Sequence, residues 1–195
     1  MNQWWQLWTE FFTPNECKRI IELSLLRPPR DATIGHGGPS NVDTSIRRSV
    51  VRWLDRRDAE LDWIMQKVEY AFQVANCHAF QFELTYFHEV QFTEYSDSQE
   101  GKYDWHEDLT WVRNSPSRRK LSIVVQLSSD NDYVGGDLEI SESMVGGKGN
   151  LPDSGALRKQ GSVFVFPSFL THRITPIVRG TRYSLVTWYE GPAFR

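Results

Sequence analysis

The sequence predicts an α+β fold, a jelly-roll double-stranded β-helix with amino-terminal helices packed on one of its two sheets, from three observations. Apolar residues recur at steps of three and four over residues 58–75, the spacing of a single buried helical face. Beyond residue 81 the period falls to two, in short runs rich in β-branched and aromatic side chains. Turn residues punctuate that half at Gly101, 114–117, Gly135-Gly136, 146–149 and Gly180. Helices followed by many short strands are the order expected of an α+β domain, and a jelly roll closes such strands with few open edges.

The first helix is set by its start. Thr13-Pro14-Asn15-Glu16 offers a Thr cap, Pro in the first turn and Glu three residues after the cap, following the apolar pair Phe11-Phe12. Ile20, Ile21, Leu23, Leu25 and Leu26 cover it, and Pro28-Pro29 ends it near residue 26. Residues 30–49 are rich in Gly, Ser, Asp and Asn without periodicity and read as a long loop, a lid candidate. The second helix runs from Asp58 to about Ala75 through Leu61, Ile64, Met65, Val68 and Phe72. Strands are expected where Phe82, Leu84 and Tyr86 alternate, at Val90 and Phe92, and over 121–127, 162–166 and 183–189.

A chain of 195 residues fits one domain over 1–195, with 1–80 as helical support and lid loop and 81–195 as the jelly-roll core. A net charge of -3 gives no general attraction for nucleic acid, so no nucleic-acid partner is expected. No basic region followed by an apolar run opens the chain and no 18 consecutive residues are apolar, so no membrane partner is expected either. Cys17 and Cys77 have neither metal-knuckle nor redox spacing and read as buried free thiols, which favours a reducing, cytoplasmic compartment. Nothing in the residues sets the oligomeric state.

Chemistry concentrates in Tyr103-Asp104-Trp105-His106-Glu107-Asp108. Residues two apart on a strand share a face, so His106 and Asp108 can reach one ion, while Trp105 and Glu107 point away. His172 follows the strand ending Phe164-Val165-Phe166-Pro167, and two His with one carboxylate form the facial set that leaves positions open on iron(II). Arg182 comes ten residues later, with Pro176 and Gly180 to turn the chain and an adjacent antiparallel strand to carry the guanidinium back. Its planar fork matches a carboxylate bidentately.

The series Tyr95, Gly101, Tyr103, His106, Asp108, Arg119-Lys120-Leu121-Ser122, Tyr133-Val134-Gly135-Gly136-Asp137-Leu138, Gly161, Phe166-Pro167-Ser168, His172, Thr175-Pro176-Ile177 and Gly180-Thr181-Arg182-Tyr183-Ser184 resembles the prolyl 4-hydroxylase-like branch of the 2-oxoglutarate/iron(II) oxygenases, including bacterial PKHD-type hydroxylases. The likeness spans roughly residues 82–188, and Phe11 to Cys17 resembles that family's opening helix. It implies a dioxygenase that hydroxylates a C–H bond with iron(II), 2-oxoglutarate and dioxygen, and with ascorbate as accessory. It implies metal ligands at His106, Asp108 and His172, and the C5-carboxylate contact at Arg182. A tyrosine hydroxyl beside that carboxylate would be Tyr95, with Tyr103 as the alternative.

Where relatives often carry another tyrosine this chain has Gln126, and Trp188 matches an aromatic position at the barrel mouth. The implied substrate is a prolyl residue in a peptide or protein, with other residues or a free small molecule as alternatives. Trp111, Arg113 and Arg118 are substrate-contact candidates by location. His36, His78 and His88 fall outside the pattern, and Gly135-Gly136 reads as a tight turn or a close backbone approach. A non-redox metal- or sugar-binding jelly roll and an interaction module remain the readings from other classes.

Overall fold

Residues 121–127 show how alternation divides this chain between two cores. Leu121, Ile123, Val125 and Leu127 are buried with Ile64, Val68 and Phe72 in one cluster, whereas Val124 is buried with Phe164, Phe166 and Ile174 in another. A strand sandwiched in this way has helices on one face and a second sheet on the other. The computed structural model describes residues 4–33, 42–87, 89–109 and 116–194.

In chain order the elements are β1 (Gln6–Trp8), α1 (Pro14–Leu25), β2 (Arg30–Asp31), β3 (Arg47–Arg48), β4 (Val50–Leu54), α2 (Asp62–Ala75), β5 (Tyr86–Phe87), β6 (Val90–Ser96), β7 (Lys102–His106), β8 (Ser117–Gln126), β9 (Tyr133–Gly135), β10 (Leu138–Ile140), α3 (Ser154–Arg158), β11 (Val163–Pro167), β12 (His172–Ile174) and β13 (Ile177–Pro192). The larger sheet runs β1-β11-β8-β13-β6-β4-β2, with β5 and β9 also on β13; the smaller runs β10-β12-β7-β3, and the pairings are antiparallel. The first core lies between the helices and the larger sheet, and the second lies between the sheets. This is the double-stranded β-helix the sequence predicts.

Helix α1 starts where its capping box does: the Glu16 amide donates to Thr13 Oγ1 at 3.2 Å and the Thr13 amide to Glu16 Oε2 at 2.7 Å. Burial alone would push the Glu16 carboxyl up, but hydrogen bonds from Lys67 and from the Thr13 amide and hydroxyl hold it below the usual carboxylate range. A carboxyl whose folded pKa is depressed stabilises the fold above its unfolded pKa, and that contribution is lost as pH falls through the folded value. Glu16→Gln is therefore expected to melt below wild type at neutral pH and to converge with it below about pH 4. Melting curves across that range check this.

The second helix begins as a 3₁₀ turn over Ala59–Leu61, capped by the Asp58 carboxylate on the Glu60 amide at 3.0 Å, and turns α-helical only at Asp62. The alternation at Phe82, Leu84 and Tyr86 does not make a strand; only Tyr86–Phe87 pairs. The Asn76 amide takes the backbone partners instead, donating to Phe82 O at 2.9 Å and accepting from Phe82 N at 2.8 Å. Strands before residue 81 are a second difference from expectation: β1 and β4 join the larger sheet, and the long loop contains β2 and β3. Residues 34–41 of that loop, which include His36, lie outside the described residues, as do His88, Trp111 and Arg113. Both cysteines are free, but only Cys17 is buried. Cys77 is exposed, because the chain leaves the core in a single π-turn at Asn76–Phe80.

Gly180 is not a turn. It sits inside β13 with φ +81°, where an added Cβ would lie 2.1 Å from the Asp132 carbonyl oxygen. Gly180→Ala combines left-handed strain with a backbone clash and is expected to cost about 2 kcal/mol or more, read from urea unfolding. Of the two roles the sequence leaves open for Gly135, a tight turn or a close approach, the structure shows the close approach, with φ +77° and a Cβ position 2.2 Å from Pro176 O.

Candidate active site

Register fixes which side chains enter the barrel. Arg182 pairs with Tyr95, Ser184 with both Thr93 and Gln126, Val186 with both Gln91 and Val124, and Trp188 with Ser122. Paired residues share a face, so these rows point together toward the second sheet while Phe92, Val125 and Leu185 point toward the helices. From the second sheet, His106 on β7 pairs with His172 on β12. Asp108 lies two residues past the end of β7.

The three groups converge: one ligand atom from each of His106, Asp108 and His172 lies within 4.8 Å of the others. Asp108 Oδ1 is 4.0 Å from His106 Nε2 and Oδ2 is 3.6 Å from His172 Nε2. His106 Nδ1 lies 2.7 Å from Asp104 O and His172 Nδ1 2.8 Å from Leu170 O. A carbonyl only accepts, so each Nδ1 donates and each Nε2 is left facing inward toward the other groups. Burial and the neighbouring His172 bring His106 down to about 3, so it is neutral at physiological pH. Burial would raise the Asp108 carboxyl, but His172, His106, Arg119 and the Ser122 hydroxyl outweigh it and hold it below the ordinary carboxylate range. Ser122 Oγ donates to Asp108 Oδ2 at 2.7 Å and lies 2.9 Å from Ser168 Oγ, a backing that orients the carboxylate.

Tyr103 and His106 would face opposite ways on a regular strand, yet their rings stack with centroids 3.4 Å apart. A register shift between His172 and Ile174 sets Ile174 opposite Tyr103 and re-aims one side chain. Burial pushes the Tyr103 hydroxyl up to about 12, so it stays protonated.

Arg182 is buried at 2% exposure. Its Nε donates to Gln126 Oε1 at 3.0 Å, and Gln126 Nε2 donates to Ser128 O at 3.0 Å and to the Tyr133 hydroxyl at 3.1 Å. Arg182 Nη1 is buried, with no hydrogen-bond partner among the described residues. A desolvated guanidinium N–H left in that state costs free energy until an acceptor arrives, so the residue fits an incoming carboxylate. The adjacent-strand expectation for Arg182 is corrected: β12 belongs to the smaller sheet and β13 to the larger, so Arg182 and His172 come from opposite walls.

A cavity of about 110 Å³ is lined by His106, Asp108, His172 and Arg182 together with Tyr95, Tyr103 and Trp188. Gln126 stands one layer back, reaching the cavity through Arg182. Trp105 and Glu107 face outward, Trp105 beneath Arg173 at 4.6 Å. Arg119 rather than Arg118 lines the cavity; the Arg118 guanidinium donates to its neighbour Ser117 O. Sequence reasoning passed over Ser122, Arg47 and Trp53. Ser122 was accessible from the pairing of its strand with Trp188, but Arg47 and Trp53 lie in or beside a stretch read as loop. No helix among the described residues is long and apolar enough to cross a membrane.

Known proteins resemble this chain in sequence and in fold. A PKHD-type hydroxylase of Synechococcus sp. strain CC9311 is 34% identical over 93 residues, 47% of this chain and 38% of that protein. The match thus spans about two fifths of the relative's length. Among solved structures, a Pseudomonas putida prolyl-4-hydroxylase superposes with a TM-score of 0.71 at 20% identity, covering 98% of this chain and 94% of that one. A Trichoplax adhaerens prolyl hydroxylase in complex with a hypoxia-inducible-factor peptide gives 0.72 at 14% identity over 96% and 83%. These two show a shared fold. Residues 90–190, more than half of the chain, match the family model of the 2OG-Fe(II) oxygenase superfamily, and the chain belongs to that superfamily.

Proposed function

We propose that the chain is a single-domain iron(II)- and 2-oxoglutarate-dependent dioxygenase, over residues 1–195, that hydroxylates a C–H bond, with a prolyl residue in a peptide or protein as the substrate. The observation that carries this reading is the cavity itself: two imidazoles and a carboxylate converge in it, and a buried guanidinium with an N–H that has no partner among the described residues opens onto it. The donor set suits iron(II) because three protein ligands leave positions free.

His106 Nε2, His172 Nε2 and an Asp108 oxygen would hold the metal, and Arg182 the distal carboxylate of 2-oxoglutarate. Loaded iron supplies the oxidation, in which dioxygen and 2-oxoglutarate become succinate and carbon dioxide while one oxygen atom enters the substrate C–H bond. The chain's own part is orientation and dryness. The carbonyls of Asp104 and Leu170 fix both imidazole tautomers, and Ser122 fixes the carboxylate. Gln126 holds the Arg182 fork by its Nε, leaving the outer nitrogens for the oxoacid. Tyr95 or Tyr103 would give the second hydrogen bond to that carboxylate, and Trp188 walls the substrate side. Ascorbate would serve as a reductant keeping resting iron divalent. The prolyl substrate draws its support from the prolyl hydroxylases among the fold neighbours.

Anaerobic titration with iron(II) and 2-oxoglutarate is expected to develop a visible metal-to-ligand charge-transfer band, lost in Arg182→Ala and His106→Ala. A wild-type protein that binds both and shows no band, or releases no succinate on admission of oxygen, would reject this function. Peptides gaining the mass of one oxygen atom then identify the substrate.

A further inference from the structure

We infer that Arg47 is a positioning residue for the metal ligand His106, acting through the ring of Tyr103. The inference rests on the oxygenase reading and ties its metal centre to the segment between the two long helices.

The two imidazoles of the triad are held differently. Each makes one hydrogen bond at Nδ1, His106 to Asp104 O at 2.7 Å and His172 to Leu170 O at 2.8 Å. Such a bond fixes where a ring points but lets it rock about the bond, because the outer torsion of a histidine has broad minima. A contact on the ring itself has to set its plane before a metal arrives. For His172 that contact is Phe166, a fully buried core residue whose ring meets it edge-on at 4.8 Å and 73°. For His106 it is Tyr103, whose ring lies nearly parallel to it, at 11°, with centroids 3.4 Å apart. The two imidazoles also meet one another at 4.2 Å.

Tyr103 is in turn held by Arg47. Strands β3 and β7 pair the two residues, and the guanidinium carbon lies 4.6 Å from the centre of the Tyr103 ring. Arg47 is 7% exposed and pinned on both sides of its segment, its Nε donating to Ser49 Oγ at 2.9 Å and its Nη1 to Thr33 O at 3.5 Å. A planar guanidinium can lie flat on a ring in a way that a lysine ammonium cannot.

A second route runs from the neighbouring residue. Ile46 O accepts from the Asp104 amide at 2.9 Å, and Asp104 O is the acceptor for His106 Nδ1. Residues 46 and 47 therefore support the edge and the face of the same imidazole. The turn that presents them is closed by Asp43 O, which accepts from the Ile46 amide at 3.2 Å and the Arg47 amide at 2.9 Å.

Charge and bracing act in opposite directions. A cation beside a site for a dication repels it, so charge alone would make loss of Arg47 tighten metal binding. A brace lost from His106 weakens binding instead, and the two ring contacts favour that outcome.

The test uses cobalt(II) in place of iron(II), without 2-oxoglutarate, because its visible d–d bands report the arrangement of its ligands. Affinity is read by competition with a chelator, and melting curves of the metal-free proteins check the fold. Arg47→Met is expected to bind cobalt(II) about tenfold more weakly and with an altered band. Arg47→Lys, which keeps the charge without the planar group, should fall between Arg47→Met and wild type. Tyr103→Leu should lose a similar factor, and the double variant little more than either alone, since both remove one stack. Arg48→Met deletes a neighbouring cation that is paired with Glu100, and it should bind as wild type does.

Arg47→Met that binds cobalt(II) as tightly as wild type or more tightly overturns the inference. So does an unaltered band in that variant, a double variant whose losses multiply, or an equal loss in Arg48→Met. If Arg47→Met does not fold, Arg47→Lys decides, with wild-type affinity and band as the overturning result. A wild-type protein that binds no cobalt(II), or a His106→Ala variant that binds it equally well, rejects the parent reading and this inference with it.

Discussion

Arg182→Met is expected to weaken 2-oxoglutarate binding by about a hundredfold or more while leaving the ligand-free protein close to wild-type stability. The loss follows from removing one partner of a buried, charge-assisted carboxylate contact, which costs about 2–5 kcal/mol. The small effect on the empty fold is the more discriminating half. Arg182 Nη1 is buried without a partner among the described residues, so deleting the guanidinium removes an incompletely satisfied cation. Against that stands Gln126 Oε1, which loses its donor. The two effects oppose, and the net change should fall within about 1 kcal/mol. Melting curves with and without 2-oxoglutarate separate the two halves, because a ligand that binds only the folded state raises the melting temperature and a variant blind to it shows no shift. An unchanged ligand-induced shift would remove Arg182 from the oxoacid site.

The second large effect is at Asp108. Asp108→Ala deletes the only anionic member of the triad, and iron(II) affinity should fall by more than the about 10–100-fold typical of losing a supporting partner. Ser122→Ala provides that smaller reference, since it leaves the carboxylate and removes only the hydroxyl behind it. Competitive chelator titration ranks the three proteins. A Ser122→Ala defect as large as that of Asp108→Ala would mean the carboxylate is structural and the ion sits elsewhere.

Legibility varied with how local the controlling physics is. The start of α1 could be read because Thr13 and Glu16 satisfy one another within a single turn. The buried face of α2 could be read because a helix repeats on itself. The alternation at Phe82 and Leu84 misled because one side chain, Asn76, captured the backbone groups that a strand neighbour would have used. Gly180 misled because its backbone freedom serves a tight approach to Asp132 within a long strand.

At the site, chain order and residue type were enough to nominate His106, Asp108, His172 and Arg182. They could not tell that Arg182 faces the histidines from the opposite sheet, nor that a bulge stacks Tyr103 on His106. They could not bring Arg47 and Arg119 to the same cavity from positions 72 residues apart.

By itself the sequence determined the elements with a local period, the order in which metal-binding residue types occur, and the family to which that order points. Tertiary structure alone decided which sheet each strand joins, which face each side chain takes and which charges share a cavity. The reason is register: side chains alternate with a period of two, so a one-residue slip sends every one to the other face, and only burial against distant strands and helices selects the register.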